Sequence, residues 1–413
     1  MGNKLHSDVL VIGAGPSGAV AAALLKQQGF SVIVLEKEHF PRFSIGESLL
    51  PQCMEFIEQA GMLDAVKAAG FQLKNGAAFN WRERYTDFNF SDKISPGWGT
   101  TYQVERASFD KVLADCAASQ GVDIYYDRTI EQVAFDDDGC TVHARNSSGE
   151  TFVCTGRFLL DASGFGRVLP RLLDLDRPSS FPSRRSLFTH VEDCIDSPDF
   201  DRDKILITVH PDRRDVWYWL IPFANGRSSV GVVAEDAFFA EFEGDDQGIL
   251  CDLIHQDPVL SRHLKQARYD TPVNTIVGYS ANVSRLWGPR FALLGNAGEF
   301  LDPVFSSGVT IAMKSAKLAA EALTRELRGE PVDWEADYSQ PLQCGVDTFR
   351  AFVEMWYEGK LQDIFFYPGA DRILRAQICS ILAGYAWDNK NPFVRSSRGR
   401  LDVLAKVCRE AMV

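Results

Sequence analysis

The sequence predicts an α/β fold in which a Rossmann-type domain carries an inserted, mainly antiparallel β-sheet domain and is followed by a helical C-terminal region. Residues 7–36 have the pattern of strand, glycine-rich turn, helix and strand, which is a βαβ unit. Several β-rich runs lie between residues 186 and 283 and indicate a separate antiparallel sheet. Beyond residue 332 the chain is rich in aromatic residues, and helices are expected there.

The elements of the first domain follow in order from the amino terminus. A strand (DVLVI) leads into a turn (GAGPSG) and a helix (AVAAALLKQQ). The helix is expected to end at Gly29, and a second strand (SVIVLE) follows it. The next predicted elements are a helix over 104–119, short strands over 123–145 interrupted at 136–139, and a buried strand over 158–161. An apolar strand at 291–294 and a long helix over about 309–327 return to this domain.

The order of these elements predicts a nucleotide domain that is interrupted by a second sheet. The runs SLFTHV, ILITVH, VWYWLIPF, SVGVVAE and NTIVGYSANV supply that sheet. We therefore expect a discontinuous FAD-binding domain formed by residues 1–75, 100–180 and 286–330. A β-sheet domain on the substrate side is expected to comprise residues 76–99 and 181–285, and a helical C-terminal region residues 331–413.

Composition limits the classes of function. The chain has 413 residues, of which 46% are hydrophobic and 24% charged, as in ordinary globular proteins with more than one packed unit. Its net charge of −13 argues against binding to nucleic acid or to anionic membranes. Nine cysteines occur singly without a C-x-x-C pair, so we expect a reducing, cytoplasmic setting and no structural metal.

A dinucleotide site is predicted at the first turn. Its G-x-G-x-x-G spacing lies between a strand and a helix, and Glu36 ends the following strand. The glycines let the backbone approach a pyrophosphate at the helix N-terminus, while the carboxylate accepts hydrogen bonds from the ribose and disfavours a 2′-phosphate. The predicted cofactor-binding residues of the turn are Gly13, Ala14, Gly15, Ser17 and Gly18.

Two further segments point to FAD as the dinucleotide. The runs DASGFGR (161–167) and LLGNAGEFLDPVFSSGV (293–309) resemble flavin-contact segments of the FAD-dependent aromatic hydroxylase superfamily. The resemblance implies a Rossmann-type FAD-binding domain in which Gly295, Asp302 and Pro303 lie near the flavin and Arg106 meets its phosphates. Asn296 stands where many relatives have aspartate, and because asparagine can also hydrogen-bond the ribityl hydroxyls, the expected cofactor is still FAD.

The hexapeptide WYWLIP (217–222) places Trp217, Trp219 and Ile221 on one face of a strand. The pattern W-x-W-x-I-P resembles the signature of flavin-dependent halogenases. Three more segments, GESLLP (46–51), Lys74 within KNGAAF and FLDPVFSSG (300–308), are similar to the shorter halogenases that act on phenols or carrier-bound pyrroles. The resemblance implies that the two indoles keep the organic substrate away from the flavin.

The resemblance also implies a division of roles. Reduced FAD, oxygen and chloride or bromide yield hypohalous acid, with the halide held by the amides of Ser307 and Gly308. Lys74 then delivers the oxidant, either by hydrogen bonding or as a haloamine. Residues 305–308 (FSSG) lack the carboxylate of tryptophan halogenases, so the expected substrate is an electron-rich phenol or pyrrole. No second G-x-G-x-x-G offers a nicotinamide site, so a separate flavin reductase is expected to supply reduced FAD.

The C-terminal part of the chain is basic and is a candidate surface for binding a protein partner. Residues 372–409 contain eight basic and two acidic side chains, which fits either a solvated helix face or a docking patch. If the aromatic substrate is tethered to an acidic acyl or peptidyl carrier protein, we expect docking near Arg398 and Arg400. The tail aromatics of 349–368 either line the ring pocket or fill the core.

Three other functions are compatible with the same flavin fold. They are an FAD-dependent oxidoreductase of the geranylgeranyl-reductase-like type, an aromatic hydroxylase without halogenation, and a flavin-binding regulatory or storage protein. A halide-dependent product would separate halogenation from all three.

Overall fold

The computed structural model describes residues 4–411. Strands in that range are β1 (Lys4–Ile12), β2 (Val32–Leu35), β3 (Gln72–Lys74), β4 (Gly76–Trp81), β5 (Arg84–Asn89), β6 (Thr101–Gln103), β7 (Asp123–Tyr125), β8 (Thr129–Phe135), β9 (Cys140–Arg145), β10 (Thr151–Asp161), β11 (Asp176–Arg177), β12 (Arg184–Glu192), β13 (Lys204–Val209), β14 (Trp217–Pro222), β15 (Arg227–Glu235), β16 (Asn274–Val277), β17 (Asn282–Val283), β18 (Trp287–Gly288) and β19 (Phe291–Leu293).

The α-helices in that range are α1 (Pro16–Gln27), α2 (Gln52–Gln59), α3 (Leu63–Ala68), α4 (Arg106–Ser119), α5 (Val168–Leu172), α6 (Asp236–Phe239), α7 (Asp246–Gln256), α8 (Pro258–His263), α9 (Ser307–Leu327), α10 (Gln340–Tyr357), α11 (Lys360–Phe365), α12 (Arg372–Leu382), α13 (Pro392–Arg395) and α14 (Ser397–Ala411). Short 3₁₀ segments occupy Phe90–Asp92, Gly164–Gly166 and Gly295–Ala297, and a π-helical turn spans Glu335–Ser339. Among these helices, none is long and apolar enough to cross a membrane.

The nucleotide domain is built on one sheet whose main strand order is β18, β19, β10, β1, β2, β7. The strands from β19 to β7 run parallel, and β8 and β9 add an antiparallel hairpin to the first half of β10. Helix α1 packs against α9 and α4. Because the carboxyl ends of parallel strands meet at one edge, the turn after β1 and the segments after β10 and β19 come together there.

The second sheet has the strand order β16, β12, β15, β14, β13, β4, β5. Its pairs are antiparallel except β13 with β4. Alternation along β14 divides the side chains as expected. Trp217, Trp219 and Ile221 join the main core, while Tyr218 and Leu220 join a second core beneath α7 and α8. The face of the sheet that carries Trp217, Trp219 and Ile221 therefore packs against the nucleotide domain.

The C-terminal region is helical from α10 to α14, as predicted. Its aromatic side chains pack into the core between the sheets: the Trp356 ring contacts the rings of Phe79, Phe305 and Phe365. The α/β fold class with its inserted, mainly antiparallel sheet is confirmed. The exact domain bounds stay predictions, and residues 1–3 and 412–413 within them lie outside the described range.

Candidate active site

The glycine turn after β1 is so tight that side chains are excluded at two positions. Gly13 has φ +92°, and a Cβ there would lie 2.6 Å from the carbonyl oxygen of Ala162. A Cβ at Gly18 would lie 1.9 Å from the carbonyl oxygen of Gly13. Glycine is therefore required at both positions for α1 to begin directly beneath the strand.

A cavity of about 780 Å³ starts at this turn. Gly13, Gly15 and Ser17 line it, and α1 begins at Pro16 with no side chain capping its first amides. Ala14 and Gly18 lie behind this surface: the Ala14 amide donates to Glu36 Oε2 at 2.8 Å. The uncapped helix start, with its dipole, is suited to a pyrophosphate.

Glu36 stands at the end of β2 and lines the cavity. Its buried carboxylate accepts hydrogen bonds from the amides of Ala14 and Glu38, at 2.8 and 2.9 Å. These bonds fix the carboxylate at the cavity wall, where the predicted ribose contact would form.

Arg106 begins α4 and is buried rather than displayed at the surface. Its guanidinium donates to both carboxylate oxygens of Asp110 at 2.7 and 2.9 Å, and to the carbonyl oxygen of Ile45 at 2.5 Å. It also lines the cavity. The side chain is thus held in one orientation beside the site predicted for the cofactor phosphates.

Of the flavin residues predicted in the segment after β19, Pro303 lines the cavity, whereas Gly295 and Asp302 lie behind its wall. Asn296 also lines the cavity, whereas Gly295 packs against α9, where a Cβ would lie 2.8 Å from Ala312 Cβ. The Asp302 carboxylate is buried, and it accepts from the Tyr357 hydroxyl at 2.8 Å. Burial raises the pKa of Asp302 to about 6.

The two indoles of β14 form a wall of the cavity, with ring centroids 5.9 Å apart. Trp217 Nε1 donates to the Tyr357 hydroxyl and Trp219 Nε1 to Ser229 Oγ, each at 3.0 Å. Opposite Trp219 the strand pair has Gly231, where a Cβ would lie 2.4 Å from the indole. Each ring is therefore fixed by packing and by a hydrogen bond.

Lys74 ends β3 and is 1% exposed. Its amine donates to Ser48 Oγ at 2.7 Å and to the Leu49 carbonyl oxygen at 2.8 Å. Burial lowers the pKa of Lys74 to about 7. Lys74 itself does not line the cavity: its amine lies behind the wall and is hydrogen-bonded to Ser48, which does line it.

The start of α9 gives the cavity a second uncapped helix terminus. Ser306 has φ 56° and provides no side-chain cap, Ser307 is the first helical residue, and Ser306 and Gly308 line the cavity. A Cβ at Gly308 would lie 3.1 Å from the Phe300 ring. Free amides with the helix dipole behind them favour an anion at this position.

Sequence reasoning missed an acid–base pair at the cavity wall, in which the Glu47 side chain is buried and the His190 side chain is 19% exposed. Glu47 Oε1 lies 2.5 Å from His190 Nε2, and the Glu47 side chain lines the cavity. Burial lowers the pKa of His190, but the hydrogen bond and charge of Glu47 outweigh it, and the net pKa is raised. Glu47 lay within the quoted GESLLP segment, but no pattern marked its partner on β12 or the role of Tyr357.

The cavity suits FAD in size and in chemistry. Its volume is typical of cofactor sites, and its polar wall combines a helix start, an acid for a ribose and a fixed arginine. A Cβ at Gly15 would make ordinary contacts with the Arg42 guanidinium at 3.4 Å and Asp110 Oδ2 at 4.0 Å, and no backbone atom approaches within 4 Å on that side. The glycine turn, Glu36, Arg106 and Asn296 would hold the cofactor.

Comparisons with known proteins agree with this geometry. A family model described as FAD binding domain matches residues 6–338. The flavin-dependent halogenase armH3 of Armillaria mellea is 30% identical in an alignment of 420 positions, which covers 95% of this chain and 80% of that protein. The 1H-pyrrole-2-carbonyl-[peptidyl-carrier protein] brominase of Pseudoalteromonas luteoviolacea is 28% identical over 394 residues, 92% of each protein.

A solved structure, described as a flavoprotein/dehydrogenase from Cytophaga hutchinsonii, is 45% identical and superimposes with a TM-score of 0.96 over 99% of this chain and 100% of that one. Together, the matched domain, the halogenase relatives and the paired indoles beside an FAD-sized cavity show that this chain is an enzyme of the flavin-dependent halogenase family.

Proposed function

We propose that the enzyme makes hypohalous acid in the cavity bounded by the glycine turn and the indole wall, and that Lys74 presents it to an electron-rich phenol or pyrrole. The observation that carries the proposal is the buried Lys74 amine, hydrogen-bonded at 2.7 Å to Ser48 of the cavity wall. In the overall reaction oxygen accepts two electrons from the halide and two from reduced FAD and leaves as two molecules of water, while the ring exchanges one hydrogen for halogen.

The halide lies at the start of α9 in this proposal. The amides of Ser307 and Gly308 attract the anion, and Asn296 and Pro303 lie on the same cavity wall. When reduced FAD is bound, it would activate oxygen, and the activated oxygen would oxidise the halide. Trp217 and Trp219 exclude the aromatic ring from this compartment, which prevents direct hydroxylation.

The environment of Lys74 supports two ways of delivering the oxidant. With a pKa of about 7, the ammonium and the neutral amine are both populated near neutral pH. The ammonium polarises hypohalous acid by hydrogen bonding, and the neutral amine can form a haloamine. The Ser48 hydroxyl and Leu49 carbonyl oxygen orient the amine in both cases.

Two protein partners complete the proposal. A separate flavin reductase supplies reduced FAD, and the substrate is either free or tethered to a carrier protein, as the name of the Pseudoalteromonas relative suggests. The proposed docking surface includes Arg398 and Arg400. Arg398 already forms ion pairs with Glu354 and Glu358, so much of the attraction would come from the exposed Arg400. Arg400→Glu should impair only carrier-bound substrates.

The decisive experiment compares Lys74→Met with Lys111→Met, which removes an exposed lysine on α4. Each protein receives FAD, a flavin reductase, oxygen, chloride or bromide, and a panel of phenols and pyrroles. We expect both variants to retain the flavin absorbance spectrum, and only Lys74→Met to lose the halogenated product. Halogenation at the wild-type rate by Lys74→Met would refute the assignment.

A dehydrogenase is the second candidate because the Cytophaga hutchinsonii relative is described as one. If the protein is a dehydrogenase, its substrate should reduce the bound FAD and remove the flavin absorbance in the absence of both oxygen and halide. The halogenase proposal predicts instead that product appears only with halide, oxygen and reduced flavin together.

A further inference from the structure

Thr101, the first residue of β6, carries a hydroxyl that is buried without a hydrogen-bond partner. The residue is 1% exposed, and its Oγ1 makes no hydrogen bond within residues 4–411. A buried hydroxyl that lacks a partner costs free energy, and nearly all such groups in native proteins are paired with a protein group or a small polar molecule. The position of Thr101 Oγ1 therefore suits a small polar ligand.

Thr101 lies beneath the side chain of Lys74. The two residues are paired directly in the β3–β6 ladder, so their side chains project from the same face, with Cβ atoms about 5 Å apart. Residues 48 and 49 pair with the other edge of β6. Because the Lys74 amine donates to Ser48 and Leu49, its side chain crosses β6 on the face that carries the Thr101 side chain.

The Lys74 amine also has unused capacity for hydrogen bonds. An ammonium has three N–H donors, and the part of the chain that the structure describes gives this one two hydrogen bonds, to Ser48 Oγ and to the Leu49 carbonyl oxygen. The Phe90 ring covers another side, with its centroid 5.3 Å from Nζ. One N–H of the ammonium and the Thr101 hydroxyl are therefore both available to a ligand on this face of the ladder.

We propose that Lys74 and Thr101 hold hypohalous acid between them, which adds an oxidant-binding residue to the proposed function and rests on it. The oxygen of the acid accepts from the Lys74 ammonium, and its O–H donates to Thr101 Oγ1, since a threonine hydroxyl can accept. The halogen is then the free end of the molecule. During transfer to the ring, the C–X bond forms and the O–X bond breaks, and the oxygen takes the ring proton and leaves as water. Of the two ways of delivery, this arrangement uses the hydrogen-bonding ammonium.

The test measures how the oxidant is divided between the substrate and the solvent. The FAD-loaded protein receives a flavin reductase, oxygen, bromide and resorcinol, together with catalase and an excess of free methionine. Hypobromous acid that escapes oxidises methionine to its sulfoxide. The ratio of bromoresorcinol to sulfoxide therefore measures delivery, and the sum of the two measures oxidant formation.

The proteins compared are the wild type, Thr101→Val, Thr101→Ser and Thr208→Val. Thr208 is the matched control because its hydroxyl is also buried and, within residues 4–411, also unpartnered. It is paired with Tyr218 of β14, which belongs to the second core, so it lies on the face of the sheet that is turned away from the indoles.

Thr101→Val keeps the shape of the side chain and removes the hydroxyl. We expect the ratio to fall about 3- to 10-fold, as for the loss of one hydrogen bond, while the sum does not change. Thr101→Ser should keep a ratio near that of the wild type, and Thr208→Val should match the wild type. Thr101→Val should also unfold at no lower denaturant concentration than the wild type, because it loses no hydrogen bond within the protein. If it fails to bind FAD, Thr101→Ala provides the same comparison.

An unchanged ratio in Thr101→Val would overturn the assignment and show that the hydroxyl binds water only. An equal fall in Thr208→Val would overturn it as well, since a general effect on packing would then explain the result. The proposed function is tested separately. Neither bromoresorcinol nor methionine sulfoxide from the wild type would reject halogenation, whereas product that is lost in Lys74→Met but formed at an unchanged ratio in Thr101→Val would reject the role of Thr101 alone.

Discussion

Replacing Lys74 with methionine should stabilise the protein in a pH-dependent way. Burial lowers the pKa of Lys74 from 10.5 to about 7, so the folded chain releases a proton that the unfolded chain keeps up to about pH 10.5. At ~1.36 kcal/mol per pKa unit, the difference of 10.5 − 7 = 3.5 amounts to a penalty of about 5 kcal/mol below pH 7. This penalty shrinks to about 1 kcal/mol near pH 10. Methionine removes it.

The measurement is the difference in unfolding free energy between Lys74→Met and the wild type, from denaturant titrations at pH 6 and pH 10. Loss of the hydrogen bonds to Ser48 and Leu49 lowers the variant's stability by a similar amount at both pH values. The variant's relative stability should therefore fall by about 4 kcal/mol from pH 6 to pH 10. Lys406→Met, which removes a 77% exposed amine, is the control. Equal differences at both pH values would refute the reasoning about burial.

Three further outcomes are expected. Gly18→Ala should abolish FAD binding, measured by flavin absorbance, because its Cβ would lie 1.9 Å from the Gly13 carbonyl oxygen. Gly231→Ala should displace the Trp219 ring and increase the share of hypohalous acid caught by a soluble trap; an unchanged share would show that the ring position does not control leakage. Asp302→Asn should gain about 3 kcal/mol in stability above pH 6, because burial raises the pKa from 3.8 to about 6 and the charged form is disfavoured; the gain should vanish below about pH 4.

Local patterns predicted most of the fold. The glycine spacing and apolar strands gave the βαβ unit because these signals are contained within about thirty residues. The alternation along β14 correctly placed both indoles on one face. Helix α9 begins at Ser307, close to the predicted start, because the chain turns in a left-handed conformation at Ser306.

Contacts distant in sequence were beyond such reasoning. The Glu47–His190 pair joins a loop to a strand 143 residues away, and no periodicity links the two. The contact from Tyr357 to Trp217 likewise depends on how α10 packs across the sheet. The family resemblance implies that Asp302 lies near the flavin, whereas its hydrogen bond to Tyr357 follows from tertiary packing. The prediction of FAD as the cofactor is confirmed by the matching FAD-binding family model, and the halide-binding and catalytic roles of individual residues are the predictions that the variants above address.

The strand that carries Lys74 belongs to neither large sheet. β3 pairs with β6 in a two-stranded ladder, and only Asn75 separates Lys74 from β4 of the seven-stranded sheet. Lys74 is thus carried by a separate ladder beside the seven-stranded sheet, while its hydrogen-bond partners Ser48 and Leu49 precede α2. A shift of this ladder would move the amine relative to the indoles of β14, so mutations in β6 should change the fraction of hypohalous acid that reaches the aromatic substrate.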